Sequence, residues 1–135
     1  MILIVCVDDR YGMQFNRRRQ SSDSTVTAKI CSLLNGKKLW LNNYSRSIFP
    51  RIDNLCVCED FLDKVSAEDY CFVENMDVRP YLNFAKKIIL FRWNRKYPFD
   101  HSFPVEDLKK SWTLKQTESF IGNSHECITM EEYCR

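Results

Sequence analysis

Glycine is scarce in this chain, with three residues in 135, and histidine is scarcer, with two. Three glycines leave no room for a GxxxxGK phosphate loop, and none is present. His101 and His125 lie far apart and form neither HxH nor HExxH. That excludes a metallohydrolase built on a histidine cluster, and no metal site is expected. No GxSxG occurs, and no cysteine stands beside a histidine in sequence, so no motif for nucleophilic catalysis is legible. Long apolar runs are missing too. Nothing approaches the roughly 20 residues of a membrane-spanning helix, so no membrane partner is expected. An excess of one charge is also lacking. The net charge of +2 does not by itself imply a polyanionic partner. The opening MILIVCVDD ends its apolar run at Asp8-Asp9-Arg10, without the basic start or cleavage site of a secretory signal. It reads as the start of a cytoplasmic protein.

What is present suits one globular domain with a real core. Hydrophobic residues make up 44% and charged residues 28%, an ordinary balance for a folded chain. The seven cysteines are odd in number. Cys6, Cys56 and Cys71 sit in apolar runs, where a thiol behaves as a small hydrophobe. Cys56-Val57-Cys58 is a lone CxC without a second ligand pair. Reduced thiols are expected.

Taken in order, short strands alternate with short helices. Residues 2–7 form a continuous aliphatic run, the pattern of a strand buried on both faces. Residues 8–19 read as a long ordered loop turning at Gly12. A helix follows, capped by Ser22 or Asp23, with Val26, Ile30, Leu33 and Leu34 on one face and Asn35-Gly36 at its end. Strands are predicted at residues 38–41, 55–58, 70–73 and 88–92. A helical stub is expected within residues 42–49. Asp60 is expected to cap a short helix, and Pro80 to start one that buries Tyr81 and Phe84. Residues 112–120 and 126–133 pair as a hairpin across Gly122-Asn123, with His125 solvated near its turn. The order predicts an α/β fold with a mostly parallel central sheet and an antiparallel C-terminal hairpin.

Four stretches carry a family likeness. They are ILIVCVDDRYGM, KKLWLNNYSRSIF, AKKIILFRWNRKYPFDHSFP, and SWTLKQTESF followed by HECITMEEY. In this order and spacing the chain resembles dihydrofolate reductase. The likeness implies a three-layer sandwich of that type in a single domain, with a reduced cofactor subdomain because residues 50–69 are short. It places Asp23 where the family keeps the carboxylate that binds and helps protonate a pteridine. It places Glu74-Asn75 where the family has a Gly-Gly pair at the cofactor pyrophosphate, and Ser45 in the second cofactor segment. Glutamate at a pyrophosphate repels it, and neither residue has the backbone freedom of glycine. The resemblance therefore implies a degenerate cofactor site and no cofactor, with NADPH as the alternative. If Asp23 is only a helix cap, Asp23→Asn is expected to be nearly neutral for stability.

One further signal is cationic. Arg17, Arg18 and Arg19 lie with aromatics in the first loop, and Arg92, Trp93, Arg95, Lys96 and Tyr97 follow the late strand. Basic residues among aromatics can hold phosphates and stack on bases. Together with Tyr44 and Phe72, residues Arg17, Arg18, Arg19, Arg92 and Trp93 are the candidate ligand-binding set. The functional expectation is a binding module for a small ligand, protein or other macromolecule that has lost NADPH-dependent reductase activity. Two alternatives stand beside it: an active reductase of a pteridine-like substrate with an atypical NADPH site, and a nucleic-acid or nucleotide binding protein using the two basic segments.

Overall fold

The computed structural model describes residues Met1–Arg135. The sheet at its centre has seven strands. They are β1 (Ile2–Val7), β4 (Leu39–Leu41), β5 (Leu55–Val57), β6 (Tyr70–Phe72), β7 (Lys87–Arg92), β9 (Thr113–Phe120) and β10 (Ile128–Cys134). Their spatial order is β5-β4-β6-β1-β7-β10-β9. The first five run parallel, and β10 is antiparallel to both of its neighbours, β7 and β9. The expected α/β sandwich with a closing hairpin is therefore the observed fold.

Period-two alternation explains the two faces. Leu3, Val5, Val7, Ile88 and Leu90 point to one side, where Phe61, Leu82, Phe103 and Leu108 cover them. Ile2, Ile4, Ile89 and Phe91 point to the other, against Val26, Ile30 and Leu34 of helix α1 (Ser24–Leu34). Each of those helical side chains contributes about 1.5 to 3 kcal/mol by leaving water. Asp23 caps α1 by accepting from the Thr25 amide. Asn35 closes it in the left-handed conformation, at φ 48°, and Gly36 follows at φ 83°. Helix α2 (Asn43–Arg46) is the expected stub, capped by Asn42. No helix is long and apolar enough to cross a membrane.

Three local readings are corrected, and one helix is added. Residues 8–19 are not a plain loop. They hold β2 (Gly12–Phe15) and β3 (Arg18–Arg19), which pair with β8 (His101–Ser102) in a second sheet. The turn between β2 and β3 is Asn16-Arg17, both at positive φ, which is the geometry of a tight hairpin and has no glycine signature here. Asp60 caps nothing. It precedes a 3-10 turn at Phe61–Asp63, and its side chain makes no bond to it. Phe84 is 73% exposed at the end of the 3-10 segment Arg79–Phe84, where Leu82 takes the buried position instead. Helix α3 (Val105–Ser111), without a side-chain cap but with Glu106 and Asp107 in its first turn and Lys109 and Lys110 in its last, stands where no element is predicted.

Gly12 is needed for closeness rather than for turning. A Cβ there would lie 2.6 Å from Gln20 Nε2 and 2.7 Å from the Phe99 Cβ. The Phe99 Cβ is fixed to backbone and cannot swing aside. Gly12→Ala is expected to destabilise by about 1 to 3 kcal/mol, the usual range for overpacking. Urea denaturation would read this as a lower midpoint at unchanged slope.

Candidate functional site

The site lies at the carboxyl ends of the parallel strands, where the start of α1, the end of β6 and the β9–β10 turn converge. Asp23 sits at its centre and is 4% exposed. One oxygen, Oδ1, accepts from the amides of Thr25 and Asn123, each at 2.9 Å. The other, Oδ2, accepts from the Ser124 amide at 2.8 Å and the Ser124 hydroxyl at 3.1 Å. It also meets His125 Nδ1 at 2.9 Å. Burial pushes the Asp23 carboxyl up. The Asn123 amide, His125, Ser124 and the Thr25 amide outweigh it and hold the group well below the usual carboxylate range. Gly122 makes this possible, since a Cβ there would come within 2.6 Å of Oδ2.

His125 is therefore not solvated, as its place near the turn suggested. It is 4% exposed. Its ring stacks on Trp93 with centroids 4.7 Å apart. Its Nε2 meets the Ser21 hydroxyl at 2.9 Å and the Tyr97 hydroxyl at 3.4 Å. Trp93, expected at a ligand surface, is thereby buried at 3%.

A second polar cluster closes the far side of the cleft. Arg19 donates from Nε to Glu74 Oε2 at 2.9 Å and from a terminal nitrogen to Oε1 at 3.0 Å, a bidentate pair. The same guanidinium donates to the Tyr44 carbonyl at 3.1 Å and lies over the Tyr44 ring. The Ser45 hydroxyl donates to Glu74 at 2.7 Å, and the Asn42 amide to Asn75 at 2.7 Å. The bond to Glu74 raises the Arg19 pKa. Cys6 borders both clusters. Burial, then the nearby Glu74 carboxylate, pushes its thiol up, so it is held neutral.

Of the other sequence candidates, Phe72 is a buried wall beside Asp23. Arg92 stacks on Tyr11 and pairs with Glu131 at 3.5 Å. Arg17 and Arg18 are exposed on the β2–β3 hairpin. The first loop and the segment after β7 do meet, through Asp8. Its carboxylate accepts from the amides of Arg10, Gly12 and Tyr97 and from the Gln20 side chain. His101 contacts the Met76 carbonyl at 3.2 Å and is not oriented by Asp100, which accepts instead from the Asn16 amide.

Little space remains. The cavity bordered by Cys6, Ser21, Asp23, Phe72 and Trp93 measures about 10 Å³, room for at most one water. A larger hollow of about 410 Å³ lies at the amino ends of the parallel strands, mostly apolar and remote from these groups.

The fold is that of dihydrofolate reductase. The chain superimposes on dihydrofolate reductase from Enterococcus faecalis with a TM-score of 0.72, covering 99% of this chain and 95% of that one at 10% identity. No protein-family model matches it, and no curated protein matches it by sequence. The Enterococcus faecalis enzyme was solved in complex with NADP(H) and RAB-propyl. The expectation of no cofactor is therefore corrected, because the matched structure of this architecture holds a dinucleotide. A physical reason points the same way. Glu74 was read as a bare repulsive carboxylate, whereas its charge is matched by Arg19.

Proposed function

We propose that this chain is a nucleotide-binding module of the dihydrofolate reductase fold that does not reduce a pteridine. The observation that carries the reading is the saturation of Asp23. A reductase of this fold needs a carboxylate facing its substrate, and this one has every lone pair directed at protein donors. The cavity of about 10 Å³ and the open groove of about 200 Å³ beside Asp23 both fall below the roughly 300 to 1,000 Å³ of ordinary ligand sites. Nucleotide binding rests on the fold and on the polar edge formed by Arg19, Ser45, Asn42 and Asn75. There the second terminal nitrogen of Arg19, which bonds to neither Glu74 nor Tyr44, is the group left to meet a phosphate. The bound dinucleotide would supply a hydride donor, and the chain's own residues orient and hold it. A polyanion-binding reading is not adopted, because Arg92 is paired with Glu131 and Trp93 is buried against His125.

The test is a fluorescence titration with NADPH, repeated with dihydrofolate present. Saturable binding, weakened tenfold or more in Arg19→Ala, with no dihydrofolate-dependent oxidation, is the expected outcome. Steady NADPH oxidation on adding dihydrofolate would overturn the claim about reduction. Absence of saturable binding would overturn the claim about nucleotides.

A further inference from the structure

The carboxylate lost to a pteridine is spent on an imidazole, and the imidazole on a hydroxyl. Asp23 Oδ2 lies 2.9 Å from His125 Nδ1, and His125 Nε2 lies 2.9 Å from Ser21 Oγ. A carboxylate can only accept, so Nδ1 carries the ring proton and Nε2 is left as the acceptor facing the serine. That connectivity, with a buried acid on Nδ1 and a hydroxyl on Nε2, is the arrangement that activates a serine for attack on a carbonyl. It is recognised by geometry and roles, not by position in the chain. The geometry points to an acyl-transfer site in which Ser21 is the nucleophile, His125 the general base, and Asp23 the positioning residue.

Burial separates the three roles. The side chains of Asp23 and His125 are almost fully enclosed, at 0% and 2% exposed, and Trp93 covers one face of the ring. Ser21 is half-buried and lines the cleft. Beyond it lies an open groove of about 200 Å³ bordered by Ser22, Ser24, Thr27 and Ile48. The two spaces share Ser22, Asp23, Thr27 and Ile48, so the groove adjoins the small cavity that Ser21 lines. Apart from Asp23, which also lines the groove, its walls are small, neutral and partly apolar. The Asp23 carboxylate at this wall disfavours an anionic substrate. The substrate class is therefore a neutral ester with a short acyl chain.

The step balances with water as the only co-reactant. Ser21 Oγ bonds to the carbonyl carbon while its proton passes to His125 Nε2. The carbon–oxygen bond to the leaving group breaks, and the alcohol leaves with that proton. Water then attacks the acyl-serine, giving its proton to Nε2. The collapse releases the acid and restores the Ser21 hydroxyl.

The experiment uses the full chain with an alkyl fluorophosphonate, followed by peptide mapping, and p-nitrophenyl acetate as the ester. The expected result is one phosphonyl adduct on Ser21, with fluoride as the leaving group. Ser22 is the internal control, because its hydroxyl makes no hydrogen bond to the ring. Ser21→Ala should abolish the adduct and lower ester hydrolysis to background. Folded His125→Gln should slow labelling about 100-fold or more, the scale of general-base assistance. No adduct, or an adduct spread equally over Ser21 and Ser22, overturns the proposal without any variant having to fold. Ester hydrolysis unchanged in Ser21→Ala overturns it as well. NADPH binding is read separately, so failure here leaves the nucleotide proposal standing and the reverse also holds.

Discussion

Asp23→Asn is expected to destabilise the fold by about 3 kcal/mol and to lower the thermal midpoint by roughly 10 °C. Asparagine caps helices as well as aspartate, so the helix cap by itself would predict almost no effect. The difference lies in the second oxygen. At Oδ2 the side chain serves the Ser124 amide, the Ser124 hydroxyl and His125. An amide nitrogen there would face donors with a donor and leave them without acceptors, the buried His125 among them. Each such group costs about 1 to 3 kcal/mol.

The pH dependence follows from the direction of the shift. Asp23 is held below its ordinary range in the folded state. Its contribution is therefore present above the pKa of the unfolded carboxyl and is lost as pH falls through and below that value. The gap between wild type and Asp23→Asn should narrow steadily between about pH 5 and pH 2. Urea denaturation of both proteins across that window measures it. A gap of less than 1 kcal/mol at neutral pH would return Asp23 to the role of a simple cap.

The second large effect is at Arg19. Removing it leaves Glu74, with a side chain only 9% exposed, holding a charge against the Ser45 hydroxyl alone. Breaking a fully buried pair from one side costs about 3 to 5 kcal/mol. The Arg19 side chain is 24% exposed, so solvent screens part of this. About 2 kcal/mol is expected for Arg19→Ala, including the lost stacking on Tyr44. Adding Glu74→Gln should recover part of it, because a neutral amide does not require the guanidinium. A double-mutant cycle reads the coupling directly. Strict additivity of the two changes would mean that the pair does not hold the cleft closed.

Much of the fold was legible because it depends on local pattern. The aliphatic runs at β1 and β7 are buried on both faces whatever surrounds them. The Asp23 cap, the Val26-Ile30-Leu34 stripe and the Asn35-Gly36 stop define α1 without tertiary help. The hairpin of β9 and β10 also follows from two β-rich runs about a turn. Where local signals were thin, the reading failed. The Asn16-Arg17 turn has no glycine, and Phe84 is apolar yet left outside because Leu82 fills the buried position.

The candidate site divides the same way. Asp23, Ser45, Glu74 and Tyr44 were singled out from the sequence, and the structure brings them to one cleft. Their meaning changed there. Glu74 read alone is a repulsive carboxylate, and beside Arg19, 55 residues earlier in the chain, it is half of an ion pair. His125 gave no signal, since a histidine next to a polar turn is ordinarily solvated.

The sequence by itself determined the alternation of strands and helices, the ends of α1 and the position of Asp23 at its start. Those depend on periodicity and on groups within a few residues of one another. Only the tertiary structure decided what Asp23 faces. His125 is 102 residues away from it and Ser21 is 104 from His125. No short-range rule joins them. They meet because β10 pairs with β7 in the middle of the sheet, which carries the turn before β10 over the first turn of α1.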